Sequence, residues 1–344
     1  MQYSLRFLLS VFILSFYQLT PAQSFKIGTI DVYGNRRTGE NTVRAKLNQK
    51  EGDSLNHDKF KPAEVAAMLQ QIPGVKYATV NPVCCDTANN LMLFIGIGET
   101  DSVILKYRKA PTQQIKLPGK MIAAYENLDA QLEPAIKSGQ AIEDDSNGYA
   151  LLTYKPARNE QDKFISFARQ NFSLLENILK NSGNAEHRAA AAEIIAYSVN
   201  RKKVVDDLLY AINDRDETVR NNATQALGIL AGYIKLHPEL KITIPAEPFI
   251  KMMNSIIWTD RNKGAMVLTQ LTQSRDKKLL HEIKQLALPS IIEMAKWKDR
   301  NHTLSSFVLL GRIAGIDEQT LITKNFSGNW AAEVEVMIDK CCRK

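Results

Sequence analysis

The sequence predicts an α+β module at the N-terminus followed by an all-α solenoid of helical repeats. The first indication is the stretch Asp216–Ile234, where apolar residues recur at spacings of 4, 4, 3 and 4 and therefore line one face of an α-helix. The second is that this helix has copies elsewhere in the chain. The third is a β-α-α-β-β pattern over residues 25–99.

The helix over Asp216–Ile234 is predicted to form a hairpin with the helix before it. Asp216 is a suitable N-cap, and Glu217 adds a negative charge to the first turn, where the helix dipole favours it. The preceding helix, Val204–Ile212, joins it through a three-residue connection. Such a hairpin has more apolar surface than it can bury alone, so it must stack on copies of itself.

The copies align on four arginines separated by 32, 41 and 39 residues: Arg188, Arg220, Arg261 and Arg300. A small or modest residue follows each arginine by three positions, and a large apolar one by seven. Helix pairs repeating at this period are typical of α-solenoids. The stretch DRDETVRNNATQALGIL resembles the second helix of HEAT repeats, and the resemblance extends over residues 186–344. It implies a scaffold for protein interactions and leaves the partner open.

The first 22 residues are predicted to be a secretory signal peptide. Arg6 supplies the positive charge, residues 7–19 form a 13-residue apolar core, and small residues follow at positions 20–22. Thirteen apolar residues are too few to span a bilayer comfortably. We therefore expect export across the inner membrane without a stable membrane span after cleavage, and an uncleaved anchor is the alternative.

Residues 25–100 are predicted to form the α+β module. Strands are expected over Phe25–Tyr33, Val75–Val83 and Leu91–Glu99, with helices over Glu40–Gln49 and Ala63–Ile72. Pro82 cannot donate a ladder hydrogen bond, so its strand is expected at a sheet edge.

This order of elements resembles a polypeptide-transport-associated (POTRA) domain, on the landmarks Gly34–Asn35, Gly52, Ile72–Val75 and Glu99. The resemblance implies a periplasmic module that acts by binding other chains and accepts partner strands at an exposed edge. It makes Tyr77 and Thr79 candidate partner-binding residues. No β-barrel segment follows the module here, and a small domain that only caps the solenoid is the alternative.

Two segments lie between the module and the repeats. Residues 101–118 are predicted to be an extended linker ending in a basic, proline-punctuated stretch. Residues 119–185 are predicted to form a helical hairpin that caps the first repeat, with a polar acidic loop over 138–148. Inside the solenoid, three prolines over residues 236–248 predict a loop.

The charge of the chain argues against a nucleic-acid partner. The formal net charge is +7, and residues 187–344 carry 23 Lys and Arg against 18 Asp and Glu, without a block of like charge. A dilute positive charge predicts at most weak, nonspecific binding of DNA.

The sequence offers little for catalysis, cofactors or metals. The five histidines lack metal-ligand spacing, and no phosphate loop, dinucleotide fingerprint or nucleophile elbow is present. The cysteines form two adjacent pairs, Cys84–Cys85 and Cys341–Cys342, that lack zinc-site spacing. Whether these cysteines form disulfides stays open.

The most suggestive cluster lies in the last two repeats, where two tryptophans each precede a repeat arginine by three residues. Stacked repeats would bring both indoles and several charges to one rim, as a patch with aromatic anchors. The alternative is a ladder of Asp and Arg side chains that caps helix ends. The candidate residues are Trp258, Asp260, Arg261, Lys263, Trp297, His302 and Arg312.

These observations predict a non-catalytic protein-interaction scaffold of the bacterial cell envelope, periplasmic or associated with the outer membrane. Partners would bind to the solenoid rim and to the strand edge of the N-terminal module. The alternative function is an enzyme whose site uses Asp260, Arg261 and Lys263 on the rim.

Overall fold

The computed structural model describes residues 24–56, 59–100, 102, 104–326 and 329–342. The predicted signal peptide lies outside the described residues. The described residues divide into two compact units: one holds Lys106–Pro245, and the other holds the described residues before Lys106 together with those from Ala246 onward. The second unit therefore combines the N-terminal module with the C-terminal helices.

The N-terminal module is a four-stranded sheet with two helices. Its elements are β1 (Ser24–Tyr33), α1 (Glu40–Lys46), β2 (Ser54–Asn56), α2 (Pro62–Leu69), β3 (Val75–Val83) and β4 (Leu91–Glu99). The strand order is β2–β1–β4–β3, with β1 parallel to β4 and the other pairs antiparallel. The two later strands have the predicted bounds, and β3 lies at the edge that Pro82 predicts. The short β2 was not predicted.

One face of the sheet, here the aliphatic face, packs against α1 and α2. Strand alternation directs Ile30, Val80, Leu93, Ile95 and Ile97 to this face, and all five are buried. Val43 of α1 and Leu69 of α2 are fully buried against them. This side of the sheet is therefore an ordinary hydrophobic core made within the module.

The opposite face, here the aromatic face, carries Asp31, Tyr33, Thr79, Phe94 and Gly96. It contacts helices from the C-terminal part of the same unit. The C-terminal part contains α8 (Glu247–Met252), α9 (Trp258–Leu271), α10 (Lys277–Ala295), α11 (Arg300–Ile313), α12 (Glu318–Phe326) and α13 (Trp330–Cys342). Every residue of β4 is buried, because helices cover both faces of the strand.

The other unit is helical apart from a two-residue strand pair. It contains α3 (Gly119–Lys137), β5 (Glu143–Asp144), β6 (Leu151–Leu152), α4 (Lys155–Asn181), α5 (Ala185–Ile195), α6 (Arg201–Ala211) and α7 (Glu217–Leu236). A short 3₁₀ turn, Pro238–Leu240, follows. Asp216 caps α7 as predicted, because its carboxylate accepts hydrogen bonds from the backbone N–H groups of Thr218 and Val219 at 3.0 and 3.1 Å.

The basic stretch before α3, which is predicted to end an extended linker, is docked along the turns between helices. The N–H of Arg108 donates to the carbonyl of Asn213 at 2.8 Å, and the N–H of Gly183 donates to the carbonyl of Gln113 at 2.7 Å. The N–H of Leu117 donates to His187 Nδ1 at 2.7 Å. The segment is therefore part of the packed helical unit.

Candidate interaction site

The structure buries the two tryptophans that were predicted to anchor a partner. Trp258, the first residue of α9, is 1% exposed, and Trp297, just before α11, is 5% exposed. The ring of Phe94 lies 5.2 Å from the ring of Trp258 and 4.9 Å from that of Trp297. Tyr33 lies 5.4 Å from Trp297. Both indoles lie against Phe94, but they are not at the equivalent positions that the sequence predicts, because Trp258 begins α9 whereas Trp297 precedes α11. The aromatic face of the sheet covers both.

A single backbone carbonyl links the sheet to the turn before α9. The carbonyl of Ile256 accepts hydrogen bonds from the Tyr33 hydroxyl at 2.7 Å and from the Thr79 hydroxyl at 2.6 Å. A Cβ atom at Gly96 would collide with this carbonyl, so glycine is required for the close approach. Thr79 therefore contacts the helices, and Tyr77, 38% exposed, is the predicted site residue that is most open to a partner.

An ionic network spans the same contact. Arg261 Nη1 lies 2.7 Å from Glu293 Oε2, and its guanidinium lies 4.6 Å from the centre of the Tyr33 ring. The other oxygen of Glu293 lies 2.6 Å from Arg36 Nη1. The N–H of Gly34 also donates to Glu293, at 3.3 Å. Glu293 thus joins a buried arginine of the helices to the turn that follows β1.

The remaining members of the predicted rim also lie inside the unit. Asp260, Arg261, Lys263, His302 and Arg312 are each 1–2% exposed. The Asp260 carboxylate accepts a hydrogen bond from the Ser255 hydroxyl at 2.9 Å, and Arg312 forms an ion pair with Glu318 at 2.6 Å. The side chains of Asp260, Arg261 and Lys263 therefore present almost no surface in this structure.

The repeat arginines perform a common structural task. Arg188, Arg220 and Arg261 are each 1% exposed. Each guanidinium donates to the carbonyl six residues earlier, which belongs to Ser182, Asp214 and Ser255 respectively. Arg300 departs from this pattern, because it is exposed and lies over the Trp330 ring at 5.2 Å. The alignment on arginine therefore identified a real structural repeat in three of its four members.

Residues 172–240 match the family model of HEAT repeats. The match runs from the second part of α4 to the 3₁₀ turn after α7, within the Lys106–Pro245 unit. HEAT repeats are commonly protein-interaction motifs. The helix pairs α8–α9 and α10–α11 lie beyond the matched residues. No curated protein matches the chain.

Within the HEAT-matched region, Asp214 is the centre of the polar contacts. It is fully buried and accepts two hydrogen bonds from Arg188, at 2.8 and 2.9 Å. It also accepts one from Arg108 of the extended segment. A buried carboxylate needs such partners, because leaving it unpaired would cost several kcal/mol. The Asp and Arg residues of the HEAT turns thus have a structural role, which favours the ladder interpretation of their pattern.

Asp31 and His302, in the contact between sheet and helices, have strongly shifted pKa values. Burial raises the pKa of Asp31 to about 6. The backbone N–H of Lys298 donates to the Asp31 carboxylate at 3.3 and 3.4 Å, which lowers the pKa, but burial has the larger effect. Burial, followed by the charge of Lys263, lowers the pKa of His302 to about 3. The His302 ring lies 5.3 Å from Phe94 and 5.0 Å from Trp258, both edge-on. Folding therefore favours the neutral form of both groups.

The described residues contain no group of three or more His, Cys, Asp or Glu side chains that could hold a metal ion. Cys84 and Cys85 form a disulfide with each other, whereas Cys341 is a buried thiol and Cys342 an exposed one. Burial raises the pKa of the Cys341 thiol to about 11. Across the described ranges, no helix combines the length and apolar character that a membrane crossing needs.

Sequence reasoning missed Phe94 and the Ile256 carbonyl, which organise the contact. The signal for Phe94 was available: LMLFIGIGE is apolar at almost every position, and such a run indicates a strand covered on both faces. Gly96 marks the place where the backbone of Ile256 comes close. The sequence cannot indicate the role of the Ile256 carbonyl, because every residue has a backbone carbonyl.

Proposed function

We propose that the protein is a non-catalytic protein-interaction scaffold of the bacterial cell envelope. The HEAT-matched region supports the scaffold part of this proposal. The N-terminal segment with the features of a signal peptide, and the resemblance of the α+β module to POTRA domains, support export to the periplasm. The proposed partners are envelope proteins.

The observation that carries the proposal is the free edge of β3. Helices cover both faces of the sheet, and β2 pairs with part of the β1 edge. No described residue outside β4 forms a backbone hydrogen bond with residues 76–83. A strand edge of this kind offers N–H and C=O groups that an extended partner segment can pair with. We infer that partners add a strand to β3, with Tyr77 exposed beside it.

The test is a proline on the outer side of β3. Pro82 is accommodated in this strand, and backbone groups of alternate residues point in the same direction, so Ala78 shares the orientation of Pro82. Ala78→Pro should remove an outward N–H while keeping the ladder to β4. Ala78→Gly is the matched control, because it keeps the N–H. Thr79→Pro is less suitable, since it also removes the hydrogen bond to Ile256.

The readout is affinity capture from envelope extracts after circular dichroism has shown that each variant is folded. We expect Ala78→Gly to keep a partner that Ala78→Pro loses. A folded Ala78→Pro variant that retains every partner would rule out strand addition. Turnover of a metabolite by the purified protein would contradict the non-catalytic part, and a full-length precursor in the cytosolic fraction would contradict the envelope location.

A further inference from the structure

The contact between the aromatic face and the C-terminal helices leaves polar atoms unsatisfied on both sides. On the helix side, the indole nitrogens of Trp258 and Trp297 are buried and donate no hydrogen bond to any described residue. On the sheet side, Thr29 Oγ1 and Asn81 Oδ1 are buried and likewise lack a hydrogen bond within the described chain. Each such group lost its water when the contact formed, so it lowers the stability of the closed arrangement.

The four atoms belong to this one contact. In the sheet register Thr29 pairs with Met92 and Asn81 pairs with Phe94, which places both on the aromatic face. The two indoles offer donors, and on the sheet the unsatisfied atoms are a hydroxyl oxygen and an amide oxygen. The aliphatic face, built from the same strands, is lined by apolar side chains. On this sheet, the unsatisfied groups Thr29 and Asn81 therefore lie on the face that meets the C-terminal helices, and not on the aliphatic face.

The peripheral links across this contact are weak ones. The side chains of Arg36 and Glu293 are 42% and 20% exposed, and those of Lys298 and Glu51 are 45% and 36% exposed. Ion pairs with this much solvent access contribute little to stability. Residues 106–245 separate the sheet from the helices along the chain, so opening the contact breaks no short connection between them.

We propose that residues 24–99 act as a releasable cover over the face formed by α9 and α11. In the closed state the sheet occupies this face. In the open state the module keeps its aliphatic core, and Trp258 and Trp297 become available to a protein segment that brings hydrogen-bond acceptors to their indole N–H groups. This proposal is independent of strand addition at β3, and its test needs no partner.

The first test is a wedge at Gly96. Valine there would press on the Ile256 carbonyl and on the Thr79 hydroxyl, and so push the sheet away from the helices. Gly39→Val is the matched control, since a Cβ at Gly39 has only the Thr42 hydroxyl within 4 Å, at 3.7 Å. Both variants are made in a Trp330→Phe background, so that the fluorescence comes from Trp258 and Trp297 alone.

Acrylamide quenching and hydrogen exchange provide the readout. We expect Gly96→Val to raise the quenching constant several-fold over Gly39→Val, while the amides of α2 and of the β3–β4 ladder remain protected. Quenching unchanged by the wedge would overturn the proposal. Loss of protection in α2 together with the rise in quenching would also overturn it, because the two faces would then form one cooperative core.

The second test needs no disruptive substitution. Thr29→Val and Asn81→Leu remove the unsatisfied oxygens at nearly constant volume, so both should raise the Tm and lower the quenching of the two indoles. A lower Tm or higher quenching in both variants would show that these oxygens are satisfied in the closed state. The cover would then have no reason to open, and the proposal would fail.

Discussion

The two faces of the central strand β4 are equally buried but differ in chemistry. Ile95 and Phe94 are neighbours in the chain, and both are 0% exposed. Ile95 packs among aliphatic residues supplied by the module itself. Phe94 packs on two indoles and an imidazole supplied by helices far along the chain. Burial alone therefore does not distinguish a module's own core from a contact between two parts.

The largest effect on the free energy of unfolding is expected for two matched alanine substitutions on β4. Ile95→Ala should lower the free energy of unfolding by about 3–4 kcal/mol, through lost burial and a cavity in the aliphatic core. Phe94→Ala should cost about as much. Hydrogen exchange should separate the two variants, because only Ile95→Ala removes protection from α2. Equal loss of α2 protection in both would erase the difference between the faces.

The next effect concerns the buried ionic link on the aromatic face. Glu293→Gln should lower the free energy of unfolding by about 2–3 kcal/mol, because it leaves the Arg261 guanidinium buried without its counter-charge. Glu335→Gln is the control, since Glu335 pairs with Lys296 in solvent, and its change should stay below about 0.5 kcal/mol. Chemical denaturation measures both. Equal effects would show that the Arg261 pair is not desolvated.

The raised pKa of Asp31 predicts an unusual pH dependence of stability for a buried carboxylate. Its pKa is about 6 in the folded protein and 3.8 unperturbed, so ionisation opposes folding. Its contribution to stability should fall as the pH rises from about 4 to about 6 and stay low above that. Asp31→Asn should remove this loss, so that the variant gains up to about 3 kcal/mol relative to wild type between pH 4 and pH 7.5. A constant difference across this range would contradict the assignment.

His302 predicts the opposite slope. Its pKa is about 3 in the folded protein against 6.5 unperturbed, so folding favours the neutral ring. The groups facing it are Lys263, Asp299 at 4.0 Å, Phe94 and Trp258. Stability from this residue should fall as the pH drops from about 6.5 towards 3. In His302→Phe the Tm should fall less steeply than in wild type as the pH drops through this range. An unchanged fall would show that the histidine is not the titrating group.

The smallest expected effect is at the edge of the contact. Lys298→Ala removes the ion pair between Lys298 and Glu51, and both of these side chains are largely solvated. It should change the free energy of unfolding by less than about 1 kcal/mol, and by less still at high salt. The substitution keeps the hydrogen bonds from the Lys298 backbone N–H to Asp31. A loss of several kcal/mol in the free energy of unfolding would therefore mean that the exposed ion pair stabilises the contact more than its exposure indicates.

Much of the local structure could be predicted from the sequence. Strand bounds at 75–83 and 91–99 followed from apolar runs between turn residues, and the cap at Asp216 followed from residue chemistry. These features depend on residues close together in the chain.

The covering of the tryptophans could not be predicted in the same way. Periodicity shows that a helix face must be buried, but it does not show which element buries it. Here the covering strand precedes Trp258 by more than 150 residues, and the decisive acceptor is the backbone carbonyl of Ile256. The apolar run of β4 was the one local sign of a second covered face.

The central claim is that the aromatic face opens while the aliphatic face stays closed. Native-state hydrogen exchange of the wild-type protein tests it directly, by comparing the indole N–H protons of Trp258 and Trp297 with the backbone N–H protons of α2. Our account predicts that the indole protons exchange through an opening of lower free energy and weaker denaturant dependence than that of α2. Exchange of both sets at one common free energy and one denaturant dependence would contradict it.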